Sequence, residues 1–347
     1  MRKYRATERG LKMKRVVGSL AAACLLATGI GCAEGLGFAD IDTDIEDTLV
    51  FDESARGVEI IDLETHNGAI RLTGGSSREV EIVATRTVRA TDEQKARAFA
   101  DRVRVEVRRD GATLVIRTIR PRHTPSDVEG VSVAYDVQLP ADIECRVQTA
   151  NGAVDIVAMH ADVDAETHNG AVTLIDIDGA ARAATHNGGI SLDDVLGDVT
   201  VRTHNGAVSA RYGAVASRAR IESHNGAVDF AVDGDVRGAV SLHTNNGRIS
   251  ARVGALRGDL NVDTSNGPVD LRVDDVLAGD IDARTSHGSL RLRVPPDAGF
   301  RLEATSRRGS IDTPWGAGDG HLDTRVNGDG RSVKLRTSSG SVRVTDR

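Results

Sequence analysis

Thr167-His168-Asn169-Gly170-Ala171-Val172 returns eighteen residues later as Thr185-His186-Asn187-Gly188-Gly189-Ile190, and again as Thr203-His204-Asn205-Gly206-Ala207-Val208. Related units lie on both sides, at Thr65–Ile70, Thr149–Val154, Ser223–Val228, Thr244–Ile249, Thr264–Val269, Thr285–Leu290, Thr305–Ile311 and Thr337–Val342. From Gly152 to Gly288 the glycines of successive units are 18, 18, 18, 20, 21, 20 and 21 residues apart. A regular period of this length is the signature of a stacked repeat array.

Alternation within each unit indicates what the repeats are made of. Val163, Ala165 and Thr167 alternate with Asp164 and Glu166, and the same period of two resumes after the Asn-Gly pair. Period two over short segments predicts half-buried strands. A second glycine turn closes each unit, so each repeat has two strands and two turns. One such unit cannot bury its own apolar side, and stacked neighbours are needed to form a core.

Two architectures fit this pattern. In a β-solenoid each unit is one coil, and the repeated Thr and Asn face inward as ladders, with Asn amides hydrogen-bonded from rung to rung at the bend. In an antiparallel meander Asn-Gly forms a type I′ hairpin turn between neighbouring strands. We favour the solenoid because side-chain identity, and not only turn chemistry, persists at fixed columns.

Composition agrees with thin β layers. The chain has 347 residues, 37 glycines and only 3% aromatic residues, so small aliphatic side chains must form the core. We predict an all-β fold, a solenoid of 18–21-residue two-strand coils with a strand-rich N-terminal cap that contains one short helix. The predicted regions are a cap at 48–147, regular repeats at 148–294, and degenerate repeats with a second cap at 295–347.

The N-terminal cap has its own local pattern. Strands are expected at Val58–Leu63, Ala69–Leu72, Val80–Val88, Val103–Arg108, Thr113–Thr118 and Val131–Leu139. Between the third and fourth of these, a short helix is expected to begin after Thr91, the predicted N-cap, and to end near Ala100.

The N-terminus reads as an export signal. Seven Lys and Arg residues precede an apolar run from Val16 to Ala27, which is too short for a comfortable transmembrane helix. Small residues then lead to Cys32, the expected lipidation site of a lipoprotein-type signal peptide at 1–31, followed by a linker at 32–47. Gly29 stands where such signals usually carry an aliphatic residue, so an ordinary secretory cleavage or an uncleaved anchor stays open.

Charge narrows the range of partners. The whole chain has a formal net charge of −7, and residues 1–31 hold seven Lys and Arg and one acid, so the remainder carries −13. A surface of this sign repels phosphate backbones, and we expect no nucleic-acid partner. After Cys32 only Cys145 remains, and its alternating context predicts a small buried hydrophobe.

Histidine is the most suggestive functional residue type. His66, His168, His186, His204 and His224 fill the second position of the motif and are expected to point outward. Stacked rungs would place four of them on one ridge, either as a solvated ladder, which we favour, or as ligands for a transition metal. Acids at Asp193-Asp194, Asp233, Asp235 and Asp274-Asp275 are interpreted as turn residues and not as a calcium site. We predict no catalytic residue, no metal site and no cofactor, and leave the binding residues unassigned.

The order of these features resembles one known family. A basic and apolar leader, paired short strands, a short helix and Val133-Ala134-Tyr135-Asp136-Val137-Gln138-Leu139-Pro140 precede a series of Thr-x-x-Gly-x-Val units. This order is similar to the bacterial putative-adhesin family, whose members carry a β-strand-repeat domain of unknown function, and the likeness covers residues 45–345. It implies a β-solenoid at the cell envelope without known catalytic residues.

The expected function is therefore that of a non-catalytic, lipid-anchored envelope protein, periplasmic or surface-exposed. Its solenoid surface would serve adhesion or bind a protein or glycan, and the lipid anchor would be its only membrane contact. An envelope-stress accessory protein that contacts a membrane partner is the alternative. A metal-binding histidine ladder and a polysaccharide-acting enzyme rank lower.

Overall fold

The computed structural model describes residues 14–18, 43–328 and 330–346. The predicted lipidation site Cys32 lies outside the described residues. The N-terminal part contains β1 (Lys14–Gly18), β2 (Thr43–Ser54), β3 (Ile60–Asn67), β4 (Ile70–Gly75), β5 (Glu79–Ala90), α1 (Glu93–Ala100), β6 (Arg104–Asp110), β7 (Thr113–Ile119) and β8 (Val128–Pro140).

The regular part follows with β9 (Glu144–Asn151), β10 (Val154–Met159), β11 (Val163–Asn169), β12 (Val172–Ile177), β13 (Ala181–Asn187), β14 (Ile190–Val195), β15 (Val199–Thr203), β16 (Val208–Tyr212), β17 (Ala219–Ser223), β18 (Val228–Val236), β19 (Val240–Thr244), β20 (Ile249–Leu256), β21 (Leu260–Asn266), β22 (Val269–Leu277), β23 (Ile281–His287) and β24 (Leu290–Val294). The chain closes with β25 (Phe300–Thr313), β26 (Gly316–Val326), β27 (Arg331–Ser339) and β28 (Val342–Asp346).

Each strand of the regular part pairs with the strand two places before or after it in the chain, and not with its direct neighbour in sequence. β11 pairs in parallel with β9 and β13, and β12 pairs in parallel with β10 and β14. The two strands of one repeat therefore belong to two separate parallel stacks, which we call the front stack (β3, the odd strands β9 to β23, and β27) and the back stack (β4, the even strands β10 to β24, and β28). The predicted solenoid is confirmed, and the antiparallel meander is wrong because Asn-Gly joins the two stacks and closes no hairpin.

The inward columns of both stacks form one continuous apolar core. Val163, Ala165, Val172 and Leu174, for example, are all at most 2% exposed. The repeated Thr is also buried, and its hydroxyl donates to the carbonyl of the glycine in the preceding coil, as from Thr167 Oγ1 to Gly152 O at 2.9 Å. The prediction that Thr faces inward is thus confirmed, and its polar atom is satisfied within the stack.

The repeated Asn forms a ladder, although not an internal one. Asn169 Nδ2 donates to Asn151 Oδ1 over 2.8 Å, and Asn187 Nδ2 donates to Asn169 Oδ1 over 2.8 Å. Seven such bonds run from Asn67 to Asn266. The expected rung-to-rung bonding is confirmed, but the expected inward orientation is wrong. Asn stands at the bend, where strand alternation ends, and most of these side chains are exposed.

Both ends of the solenoid are covered by strands that depart from chain order. At the N-terminal end, β3 and β4 stack directly on β9 and β10, and the intervening segment returns as β7 and β8 to cover the open side of that first coil. At the other end, β27 and β28 stack on β23 and β24, and the earlier strand β25 covers them, with β26 as its antiparallel neighbour.

The N-terminal cap also holds the one helix of the described chain. α1 buries Ala96, Phe99 and Ala100. Asp92 caps it by accepting from the Lys95 backbone N–H at 2.8 Å, so the predicted N-cap Thr91 is off by one residue. Of the predicted leader, the structure describes only β1, which pairs antiparallel with β2. Within the described residues, no helix has the length and apolar character needed to cross a membrane.

Candidate functional site

A long open groove lies on the outer surface of the front stack. It has a volume of about 1010 Å³ and crosses the strands from β7 to β19, which corresponds to roughly 30 Å at the usual strand spacing. Two rows of outward-facing side chains on the front strands line it, one that contains Glu166 and one that contains His168. We call it the histidine groove. The polar residues that line it from the outward columns and from β7 are Glu64, His66, Arg117, Thr118, Arg120, Gln148, Glu166, His168, His186, Arg202, His204, Glu222, His224, His243 and Asn245.

Four of the predicted histidines form one stack in this groove. The ring centroids of His168 and His186 are 4.8 Å apart, those of His186 and His204 are 4.7 Å apart, and those of His204 and His224 are 4.5 Å apart. Adjacent planes deviate from parallel by only 3° to 6°. The parallel register of β11, β13, β15 and β17 imposes this spacing, so the prediction of an exposed ridge of four imidazoles is confirmed.

The stack ends in uncharged side chains. Ala150 occupies the next rung on β9 and separates His168 from the fifth predicted histidine, His66. On the other side Asn245 donates from Nδ2 to His224 Nδ1 at 2.8 Å, and its Oδ1 lies 3.0 Å from His243 Nε2. With this amide orientation Nδ1 of His224 is an acceptor, so the neutral ring carries its proton on Nε2.

The carboxylates and guanidinium groups of the groove largely neutralise one another. Arg117 Nε lies 3.1 Å from Glu64 Oε2, and Arg202 Nε donates to Glu222 Oε2 over 3.0 Å. Partial burial alone would raise the pKa of Glu222, but hydrogen bonds from Arg202 and Arg220 hold it below its ordinary value. Glu222 is therefore ionised throughout the range in which histidine titrates.

Two of the imidazoles, in contrast, have pKa values below the ordinary value of histidine. Loss of solvation, and then the neighbouring His224 and His186, lower the pKa of His204. Loss of solvation and the positive charge of Arg120 lower the pKa of His66. The lowered pKa values favour the neutral form of both His204 and His66.

The stack of four histidines is poorly arranged for a shared metal ion. Zinc binds imidazole nitrogen at about 2.0–2.1 Å along the lone pair, which lies in the ring plane. Because the planes of His168, His186, His204 and His224 are nearly parallel, their lone pairs run side by side and do not converge. Within the described chain no group of three or more His, Cys, Asp or Glu side chains is placed to hold a metal ion.

Several acids once considered for calcium already have protein partners. Asp274 accepts from Arg252 at 2.8 Å and from Arg272 at 2.5 Å. Asp235 accepts from Arg237 at 3.0 Å and from Arg257 at 3.2 Å, and Asp194 accepts from the Gly213 backbone N–H at 2.8 Å. Asp194, Asp235 and Asp274 lie within β14, β18 and β22, so their interpretation as turn residues is wrong. They serve instead as partners in ion pairs and hydrogen bonds within the stacks.

The largest pKa shifts belong to core groups. Burial raises the pKa of the Cys145 thiol and of the Tyr135 phenol to about 12 each. Burial also raises the pKa of Tyr212. All three side chains are buried inside the solenoid and are at most 4% exposed, so they cannot reach a ligand in the groove. Cys145 is the small buried hydrophobe that its sequence context predicts.

Sequence reasoning missed two parts of the groove. Arg117 and Arg120 reach it from β7 because β7 pairs in parallel with β3. No repeat motif predicts this pairing. His243 was missed because it stands one column away from the other histidines, opposite Glu222. Its alternation with Leu242 and Thr244 was the available signal, since it placed His243 on the outward face.

Comparison with known proteins gives the chain its family. A family model described as Toastrack DUF4097, a domain of unknown function, matches residues 58–345, and the chain belongs to this family. No curated protein matches it. Among solved structures, a putative cell adhesion protein from Clostridium sporogenes ATCC 15579 is 9% identical, with 86% of this chain and 99% of that chain covered and a TM-score of 0.23. A putative adhesin from Bacteroides fragilis NCTC 9343 is 13% identical, with 86% and 97% covered and a TM-score of 0.29.

Proposed function

We propose that this member of the Toastrack family is a non-catalytic binding protein of the bacterial cell envelope, and that it holds an extended partner along the histidine groove. The observation that carries the proposal is the shape of the groove. It is long, open and shallow, and it follows the solenoid axis across successive rungs. Such a surface suits a linear ligand, whereas small molecules are usually enclosed in deep, mostly apolar pockets.

The chemistry of the described residues supports binding over catalysis. Enzymes commonly shift the pKa of acids, bases and nucleophiles at the surface that contacts substrate. Here the groups with the largest shifts, Tyr135, Cys145 and Tyr212, lie in the core. The carboxylates Glu64 and Glu222 of the groove are engaged by arginines, which makes them poor general bases.

The groove can be tested by filling it. Ala184 lies on the outward face of β13, between Glu166 and Arg202, and lines the groove. Ala184→Arg should abolish capture of the partner from envelope extracts while leaving the fold intact, because an arginine there projects away from the core. The matched control is Ala231→Arg on the outward face of back strand β18, next to Arg211 and Arg252. Equal capture by the native chain and both variants would remove the groove from the proposal.

Attachment to the envelope is proposed on the sequence alone. The basic leader, the apolar run and the small residues before Cys32 support export followed by lipidation of that cysteine. Cys32→Ala should move the protein from the membrane fraction of the native host to the soluble fraction. Mass spectrometry of the purified N-terminus should detect the acyl chains in the native protein. A native N-terminus without acyl chains would show ordinary secretion or an uncleaved anchor.

A further inference from the structure

We propose that the ligand of the histidine groove is an acidic polysaccharide with one carboxylate on each sugar ring, bound when mild acidity protonates the stacked imidazoles. This inference rests on the proposed function and names its ligand class. The charge of the groove differs from that of the rest of the molecule. Outside residues 1–31 the chain has a net charge of −13, whereas the fixed charges of the groove are balanced.

Because the fixed positive and negative charges of the groove are equal in number, its net charge depends on the protonation of its histidines. The fixed charges along its length are three arginines and three glutamates, namely Arg117, Arg120, Arg202, Glu64, Glu166 and Glu222. Six histidines, namely His66, His168, His186, His204, His224 and His243, line the same surface. Acidification through the histidine range therefore turns a nearly neutral groove into a cationic one while the remaining surface stays acidic.

The surroundings of the four-ring stack place few other charges against it. The strands that carry the stack contribute Glu166, Arg202 and Glu222 to the groove. One column further out, the same face carries Asp164, Arg182 and Arg220. Arg182 lies 3.9 Å from Asp164, and Arg220 donates to Glu222, so these charges are paired. The flanking strand β9 contributes the uncharged Gln148 and Ala150, and β19 contributes His243, while Asn245 follows directly after it. On the bend side the residues after the glycines are Ala171, Gly189, Ala207 and Ala227, which carry no charge.

Proton uptake and anion binding must reinforce each other at this stack. Protonating one ring disfavours protonation of its neighbours less than 5 Å away, because like charges repel. An anion placed on the ridge removes that penalty and forms charge-assisted hydrogen bonds with the imidazolium N–H groups. By linkage, the ligand draws protons onto the groove, and protons strengthen the ligand's binding.

The pairing of the strands and the polar side chains of the groove favour a glycan over an acidic peptide. The strands along the groove are hydrogen-bonded on both sides, so a peptide cannot join them as an additional strand. A uronic-acid chain carries a carboxylate on every ring, and its hydroxyl groups suit Gln148 and Asn245.

The back stack provides an internal comparison for nonspecific charge. Arg291 and Arg293 project from β24 next to Arg272 on β22 and Arg343 on β28. The charge of arginine does not change in the range where histidine titrates. Binding at these arginines would consequently be insensitive to mild acidification, whereas binding at the histidine groove would not.

The experiment measures the affinity of the full chain for polygalacturonate by calorimetry at about pH 5.5 and about pH 7.5, at constant ionic strength. The native chain should bind roughly tenfold more tightly at the lower pH and should take up protons on binding, seen as a heat that depends on the ionisation enthalpy of the buffer. Fully methyl-esterified polygalacturonate, which lacks the charge, should not bind.

Two variants locate the site. H168N/H186N/H204N/H224N introduces the residue type that the chain itself uses at this column, Asn245, and should lose both the gain in affinity and the proton uptake. R291Q/R293Q on the back stack should keep both.

Three outcomes would overturn the proposal: equal affinity at the two pH values, unchanged binding by the histidine variant, or tighter binding of polyglutamate than of polygalacturonate. If polygalacturonate fails to bind but Ala184→Arg still abolishes capture of envelope material, the groove binds another ligand. In that case the proposed function stands without this ligand class.

Discussion

Gly188 lies directly over the carbonyl group of Gly170, so close that a methyl group built on Gly188 would come within 1.8 Å of that oxygen. The same contact recurs between Gly170 and Gly152 and between Gly206 and Gly188. The glycine of the motif is therefore required by the approach of adjacent coils. A left-handed backbone is involved only at some units, such as Gly68 and Gly152.

Substitution of this glycine should be costly. Gly188→Ala forces two coils apart or distorts their pairing, and we expect the free energy of unfolding to fall by about 2 kcal/mol or more. Urea denaturation followed by circular dichroism measures it. Gly130→Ala is the matched control, since an added methyl group there meets no atom within 4 Å and the backbone is not left-handed. A similar loss in both variants would contradict the stacking role.

Removing an Asn side chain from the middle of the ladder should destabilise the fold more than removing one from its end. Asn187 donates to Asn169 and accepts from Asn205 through its side chain, whereas the terminal Asn266 contributes only its donor, to Asn246. At about 0.5–1.5 kcal/mol per hydrogen bond, Asn187→Ala should lower the free energy of unfolding about twice as much as Asn266→Ala. Equal losses in thermal or urea unfolding would mean that the amides do not act as a ladder.

Two buried tyrosines should respond oppositely to loss of the hydroxyl. The Tyr212 hydroxyl is buried without a hydrogen-bond partner, whereas the Tyr135 hydroxyl lies 2.7 Å from Thr118 Oγ1. Tyr212→Phe removes an unsatisfied polar atom and should leave stability unchanged or raise it. Tyr135→Phe should lower it by about 1 kcal/mol. A destabilised Tyr212→Phe variant would reveal a partner for that hydroxyl, such as a buried water.

The histidine stack should make the free protein sensitive to acid. Because the pKa of His204 is lowered in the folded state, the folded chain binds fewer protons than the unfolded chain just below the ordinary histidine pKa of about 6.5. The stabilising contribution is complete above that pH and is lost as pH falls through it toward the lower folded value. His204→Asn should therefore reduce the drop in melting temperature between about pH 7.5 and pH 5.5.

The control for this pH dependence is His123→Asn, which removes an exposed histidine from the loop before β8. That variant should keep the native drop in melting temperature. If the two variants behave alike, the acid sensitivity does not come from the stack.

The sequence predicted those parts of the fold that depend on local, repeated information. The inward Thr and the outward His follow from a period of two, and the coil length follows from the glycine spacing. The order of the terminal strands could not be derived in this way. The coil at Thr65 stacks on the coil at Thr149 across a long intervening segment, and the cap strands that return to cover it carry no repeated motif.

The same distinction applies to the groove. Its histidine ridge was predictable because identical residues at one column must stack in register. The arginines at its end depend on the pairing of β7 with β3, which is a tertiary contact between unlike sequences. The orientation of Asn was mispredicted because alternation holds only within strands, and the Asn of each unit stands where the strand gives way to the bend.

The covered ends of the solenoid also determine how such a molecule can change in size over evolutionary time. Since β7 and β8 cover the first coil and β25 covers the last, repeats cannot be appended at either end without displacing a cap. Gain or loss must occur by duplication or deletion of an interior coil. Each event would move the caps by one strand spacing, about 4.8 Å, and a coil gained within the groove would lengthen its binding surface by the same step. The length of the binding surface can therefore change only in steps of one whole coil.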